Sequence, residues 1–134
     1  MSEGTVESFL HTHHQATFAT IRKDGRPQLS SVVAAYRNGQ LWISITEDRA
    51  KYKNLKRDPR CTVLVLGDTF WQYLTVSGTA SMISIPAALP LLREYYVGAA
   101  GREHPDWQEY DQAMLAEKRV LAQISIDHTI ANGI

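Results

Sequence analysis

The chain has 134 residues, 44% hydrophobic and 21% charged, and its 14 basic residues balance 14 acidic ones. A length of this order fits one compact domain, here residues 1–134, and buries about two thirds of its unfolded surface. Disorder is excluded at this hydrophobicity. The lone Cys61 excludes a disulfide scaffold, and the neutral balance argues against a protein built to coat nucleic acid. No apolar run reaches about 18 residues, so no membrane-spanning helix is expected. Met1-Ser2-Glu3-Gly4 has neither a basic nor an apolar leader region, and with the single cysteine this makes a cytoplasmic protein the expectation.

Val6, Phe9, Leu10 and His13 have helical spacing and predict a short amphipathic helix. Thr17–Ile21 is rich in β-formers and precedes Asp24-Gly25, a hairpin signal. The run from Gln28 to Tyr36 ends at Asn38-Gly39, a second such signal, and Leu41–Ile45 follows as a third strand of the meander. From Asp48 to Asp58 the pattern turns helical and basic, and Pro59 stops it. Cys61–Leu66 is almost continuously apolar and predicts a strand buried on both faces. Phe70–Ile83 reads as the next strand, with Gly78 marking a bulge or a close approach. Pro86 suits the first turn of a helix carrying Leu89, Leu92 and Tyr96 on one face. A further helix follows His104-Pro105 from about Asp106 to Glu117, and Val120–Ile126 closes the chain as a sixth strand. Six short, mostly antiparallel strands with few helices imply a mainly β protein, a small closed barrel with helices over its ends.

One segment carries chemistry. Arg49 to Arg60 holds six basic residues in twelve. Lys56, Arg57 and Arg60 stand at the C-terminal end of the helix, where positive charge complements the macrodipole. Arg49 and Lys51 do not. With Asp48 as the expected N-cap they fall in the first turn, where each cation opposes the dipole by about a few tenths of a kcal/mol. A bound anion reverses that sign, because free backbone N–H groups and both side chains converge on it. The segment is therefore a candidate phosphate or carboxylate site, the alternative being a solvated basic face. Gln28, Ser30, Ser44 and Thr46 place small polar groups on strands that otherwise read as core. They either border a polar heterocycle or simply face outward; beside a phosphate site they have the make-up of a nucleotide-type cofactor bed.

Ala19-Thr20-Ile21, then Asp24-Gly25-Arg26-Pro27-Gln28-Leu29-Ser30, then Arg49-Ala50-Lys51 and Asn54-Leu55 through Asp58-Pro59-Arg60 occur in an order that resembles the pyridoxamine 5′-phosphate oxidase-like split β-barrel family. Within it the chain is similar to the flavin/deazaflavin oxidoreductases of the B group, which often use coenzyme F420. The likeness runs over roughly residues 6–126 and is tightest over 16–60. Asp106-Trp107, Tyr110, Ala113-Met114 and Arg119-Val120-Leu121 also resemble the F420-binding branch.

The resemblance implies a six-stranded antiparallel split β-barrel of the FMN-binding type, forming a homodimer with cofactor sites at the subunit interface. Arg49 and Lys51 would hold the cofactor phosphate. Gln28, Ser30 and Ser31 would lie beneath the tricyclic ring, bordered by Ser44 and Thr46. Trp71 and Tyr73 would line the ring pocket or the substrate side, from the partner subunit. Lys53 or Arg22 would meet the charged tail of F420, and Asn54 would fix the helix rather than touch ligand. The implied activity is hydride transfer from reduced F420 to a small conjugated acceptor, with no universal side-chain acid or base, because the cofactor carries the hydride. FMN is the alternative cofactor. The sequence departs from true pyridoxamine phosphate oxidases at Gln28-Leu29-Ser30-Ser31-Val32-Val33, which lacks their flanking Arg and Lys, and in a tail with no arginine after Arg119. Both departures argue against the vitamin B6 reaction.

Other residues read as structural. His11, His13 and His14 lack a further fixed ligand, so no metal site is expected. Cys61 opens a buried strand without a neighbouring base and is expected to be a packed thiol. Trp42 is expected in the core, the alternative being a dimer contact, and Trp107 with Tyr110 should pack their helix down. Two non-catalytic classes remain as alternatives: a carrier of flavin or tetrapyrrole without turnover, and a nucleic-acid module using the basic helix. The latter calls for aromatics interleaved with the cations, and only Tyr52 lies among them.

Overall fold

The computed structural model describes residues 3–134; Met1 and Ser2, part of the segment inspected for a leader, lie outside them. Helix α1 (Glu3–Thr12) buries Phe9 and Leu10. It leads into the meander of β1 (Gln15–Ile21), β2 (Pro27–Arg37) and β3 (Gln40–Thr46). Helix α2 (Ala50–Arg57) connects to β4 (Arg60–Leu66) and β5 (Tyr73–Ser84). Helices α3 (Leu89–Ala100) and α4 (Trp107–Ala116) precede β6 (Arg119–Ser125) and β7 (His128–Asn132). Strands β1-β2-β3-β6-β5-β4 pair in that order, all antiparallel, and β4 pairs back onto β1. Six strands thus close a barrel, with β7 added along one half of β5.

Closure depends on two long strands that each serve two neighbours. In β2, Pro27–Val33 pair with β1 and Ala34–Arg37 with β3. In β5, Tyr73–Thr79 pair with β4 and Ala80–Ser84 with β6. The change of partner in β5 falls beside Gly78, where a Cβ would lie 1.7 Å from the Ser125 carbonyl oxygen, so this is the close approach expected for that glycine. Between β2 and β3, Asn38 (φ 52°) and Gly39 (φ 73°) make the two-residue turn whose twist matches the flanking strands. The barrel is filled by Phe18, Leu41, Ile43, Ile45, Val63, Val65, Leu74, Val76 and Ile124. Trp42 is buried on the other side of β3, with Leu92, Tyr110 and Leu121 under α3 and α4.

The structure corrects five sequence expectations. The chain does not end its β structure at β6. Asp127 N–H donates to the Ser77 carbonyl at 3.0 Å and swings the tail onto the free edge of β5 as β7, so the described residues form seven strands, six of them in the barrel. The fifth strand starts at Tyr73 rather than Phe70, because Asp68–Gln72 forms a turn in which Gly67 N–H bonds Gln72 O at 2.8 Å. Pro86 lies in the turn before α3, and Pro90 occupies the first turn of the helix instead. Strand β4 is buried on one face only: Cys61, Val63 and Val65 point inward, while Leu66 is exposed on the uncovered outer side of the sheet. Finally, Arg49, not Asp48, is the N-cap of α2 and makes no side-chain cap, because Asp48 is engaged as acceptor of the Thr46 hydroxyl at 2.6 Å. Lys51 therefore stands in the first turn and Arg49 just ahead of it.

Helix α2 is tied down from inside the barrel. Asn54 is buried and donates to Thr20 Oγ1 at 3.1 Å, while its Oδ1 accepts from Arg57, which also donates to the Ile21 carbonyl. Asn54 is in this geometry an anchor of α2, and the cationic start of the helix is held at a fixed place beside the end of β3. No helix among the described residues is long and apolar enough to cross a membrane.

Candidate functional site

The double duty of β2 opens a gap in the barrel wall. In register, Ala34 faces Ile43, so Val33 and Ser44 would form the next rung, but pairing stops there. Beyond it β2 follows β1, while β3 continues along β6 with Thr46 opposite Arg119. The diverging strands leave a cavity of about 850 Å³. Ser30, Ser31 and Val33 form one bank, Ser44 and Thr46 the other, and Tyr95, Tyr96, Tyr110 and Met114 of α3 and α4 cover one side. Arg49, Lys51 and Arg119 stand at one end.

The missing rung is filled by a side chain. The Tyr95 hydroxyl donates to the Val33 carbonyl at 2.8 Å and lies toward the Ser44 backbone N–H, which favours negative charge on the phenol oxygen. These are the two groups that would have bonded one another had the ladder continued. Burial raises the Tyr95 pKa, opposed by the Ser44 hydrogen bond and by the charge of Arg119, so the phenol stays protonated and available as a donor. Tyr95→Phe removes this bond and leaves the Val33 carbonyl without its partner. The expected cost is about 1–3 kcal/mol, read as a lowered denaturant midpoint, together with faster amide exchange at Ser44.

Lys51 is a partly buried cation of the site. Its pKa is lowered from 10.5 by burial first, then by the charges of Arg49 and Arg119. No carboxylate pairs with it among the described residues. Because the folded-state pKa is below the unfolded value, the protonated amine costs stability below that lowered pKa, and the cost is relieved as pH rises through it. Anion binding has the opposite sign and weakens over the same interval. Affinity for an anionic ligand should therefore begin to fall as pH rises through the lowered Lys51 pKa, and Lys51→Arg, which keeps its charge, should move the fall-off upward in a pH series of binding titrations.

Of the residues singled out from sequence, the cavity brings together Ser30, Ser31, Ser44, Thr46, Arg49 and Lys51. Gln28 points into the barrel farther along β2, opposite Thr20, with a buried Oε1 that has no partner among the described residues. Trp71 and Tyr73 do not line the cavity. Trp71 sits 70% exposed in the turn before β5, ring against ring with Phe70, and Tyr73 begins β5 opposite Leu66 and Asn132. The sequence reading did not place Tyr95, Tyr96, Met114 or Arg119 in a site. Their helical spacing, or a position at the start of a strand, marks them as facing something, but not which gap in which sheet.

The remaining candidates have structural partners. The Cys61 thiol is pushed up to about 12 by burial and then by Asp127, which leaves it unreactive. His13 contacts the Phe9 carbonyl and the Asp68 carboxylate, and His14 contacts the Ala34 carbonyl. Tyr110 is likewise raised to about 12 by burial and donates to the Leu92 carbonyl at 2.7 Å, packed against Tyr96 and Trp107.

A closed antiparallel barrel split between β2 and β3, with a cationic cavity at the split, defines a protein of the split-barrel class. The pyridoxamine 5′-phosphate oxidase family model matches residues 2–131, and the chain belongs to that family. Among solved structures, a conserved hypothetical protein from Mycobacterium tuberculosis is 28% identical, with 98% of this chain and 84% of that one covered at a TM-score of 0.83. An F420 reductase is 24% identical over 92% of this chain and 94% of its own, at a TM-score of 0.70. A pyridoxamine 5′-phosphate oxidase-related, FMN-binding protein from Nostoc punctiforme is 17% identical over 95% and 81%, also at 0.70. These last two share the fold.

Proposed function

We propose that the protein is an oxidoreductase that binds coenzyme F420 in the cavity at the split and serves hydride transfer to a small conjugated acceptor. The observation that carries this reading is the pairing of a cationic end, Arg49 and Lys51, with a bank of small hydroxyl side chains in one cavity of about 850 Å³. The residues fit such a group. Ser30 Oγ is buried, has no hydrogen-bond partner among the described residues, and lines the cavity, as expected of a donor kept for a heterocycle edge. When bound, the deazaflavin supplies the hydride chemistry. The chain contributes the rest. Arg49 and Lys51 hold phosphate, Ser30, Ser31, Ser44 and Thr46 orient a polar ring, and Tyr95, Tyr96 and Met114 exclude water from one side.

A homodimer belongs to the same reading. Leu29 (62% exposed), Leu66 and Ile130 (56% exposed) share the outer face of the sheet through the registers of β1, β4, β5 and β7. Val33 and Leu66 of that face also line the cavity. An apolar sheet face of this kind suits a second copy, which would bring Trp71 and Tyr73 to the cavity of its partner.

Titration of the purified protein with F420 and with FMN, each followed by fluorescence, tests the cofactor, and light scattering gives the mass in solution. Tight F420 binding by a dimer, with reduced F420 consumed on addition of a quinone or an unsaturated lactone, is the expected result. Preference for FMN would move the chemistry to flavin on the same site. Binding of neither would overturn the oxidoreductase reading and favour a carrier of another ligand.

A further inference from the structure

The cationic end of the cavity is built from two elements, not one. Arg49 and Lys51 come from the start of α2, whereas Arg119 opens β6, directly opposite Thr46 on β3. Arg119 lines the same cavity as Arg49, Lys51 and Tyr95, and its charge acts on both Lys51 and Tyr95. Among the described residues it is also the one of the three cations with a carboxylate in an ion pair. Glu117, the C-cap of α4, takes the guanidinium through Nε at 3.1 Å and Nη2 at 2.8 Å, both to the same carboxylate oxygen. Asp48 beside Arg49 is engaged differently, as acceptor of the Thr46 hydroxyl.

We propose that Arg119 is a third anion-binding residue of the cavity and that Glu117 is a built-in competitor for it, displaced when a ligand with more than one anionic group enters. This rests on the reading of the cavity as a cofactor site and deepens it. The ligand end that meets the protein carries negative charge reached from both α2 and β6, as a phosphodiester followed by a carboxylate would present, or a phosphate dianion lying between them. The physical basis is an exchange of partners. A guanidinium bound edge-on to one carboxylate oxygen keeps N–H donors free, and a half-exposed ion pair is weak enough to be given up for a second anion. Binding then releases Glu117 to solvent, where it is already nearly half exposed.

The signs of the two substitutions differ, which makes the test specific. Arg119→Gln is expected to weaken F420 binding about tenfold. Glu117→Gln, which leaves the cap and its shape in place, is expected to strengthen it about threefold. In Arg119→Gln/Glu117→Gln the gain should vanish, because the competitor has nothing left to compete for. Damage to the fold cannot produce the gain, and Arg119→Lys should recover part of the loss. Titrations of the full chain with F420, FMN and inorganic pyrophosphate, at constant ionic strength, read all four variants. If F420 binds and neither substitution changes its affinity, the role of Arg119 and Glu117 is overturned while the cofactor reading stands. If F420 and FMN fail to bind yet pyrophosphate shows the opposed shifts, the cofactor reading is overturned and the three-cation site stands. If no anion binds, both are overturned.

Discussion

Arg49→Ala with Lys51→Ala should abolish flavin-type binding, lowering affinity by about a hundredfold or more, while leaving the fold intact. The size follows from the position of the two side chains. Neither is used to hold the barrel: Arg49 caps α2 without a side-chain bond, and Lys51 has no acidic partner among the described residues. Both face the cavity. Lys51 stands in a first turn whose N–H groups already favour an anion, so removing the pair takes away charge where the backbone dipole adds to it. Stability should rise slightly or stay level, because a partly buried Lys51 facing the charges of Arg49 and Arg119 is unfavourable in the free protein, as its lowered pKa reports. A fluorescence titration of the double variant beside a thermal melt separates the two effects. Loss of binding with an unchanged melt supports the anion site; full binding in the double variant overturns it.

The second large effect is on the barrel itself. Gly78→Ala is expected to destabilise by about 3 kcal/mol or more, a fall in Tm of roughly 10 °C for a chain of this size. The new Cβ would lie 1.7 Å from Ser125 O and 2.8 Å from its carbonyl carbon, both backbone atoms, so no rotamer change relieves the clash. The strands meet this closely because β5 leaves β4 and joins β6 there, with Thr79 N–H donating to Ser125 Oγ at 3.0 Å and Asp127 N–H to Ser77 O at 3.0 Å. Spreading them would loosen both the barrel closure and the attachment of β7. A melt of Gly78→Ala close to that of the parent would show that the corner can open without cost, contrary to this packing.

Much of the frame could be read from the chain because its signals are local. Asn38-Gly39 sits where the backbone takes two positive φ values, the alternation from Gln15 to Thr46 matches three strands, and Asp106 caps α4 through Glu109 N–H at 3.2 Å. The cationic end of the cavity was legible for a similar reason. Cations at a helix start work against the dipole unless something balances them, and that conflict is visible in Arg49-Ala50-Lys51 without coordinates. β7 was missed because His128–Asn132 is short and mostly polar, and it becomes a strand only through the edge that β5 offers. The half-exposed state of β4 was missed because an apolar run reads the same whether its second face meets the core or a surface open in the single chain.

The sequence by itself determined where the first six strands and the four helices lie to within a few residues, the polarity of β2 and β3, and the charge at the start of α2, all of which follow from neighbours a few residues apart. Only the tertiary structure decided that the ladder between β2 and β3 breaks after Ala34 and Ile43, and that the Tyr95 hydroxyl takes the vacant rung. It also brought Arg119, 70 positions after Arg49, to the same end of the cavity. A barrel closes by sharing two long strands between neighbours, and where such a strand changes partner, groups far apart in the chain are forced into one gap. No local pattern records that meeting, because its cause is the closure of the sheet and not the preference of any segment.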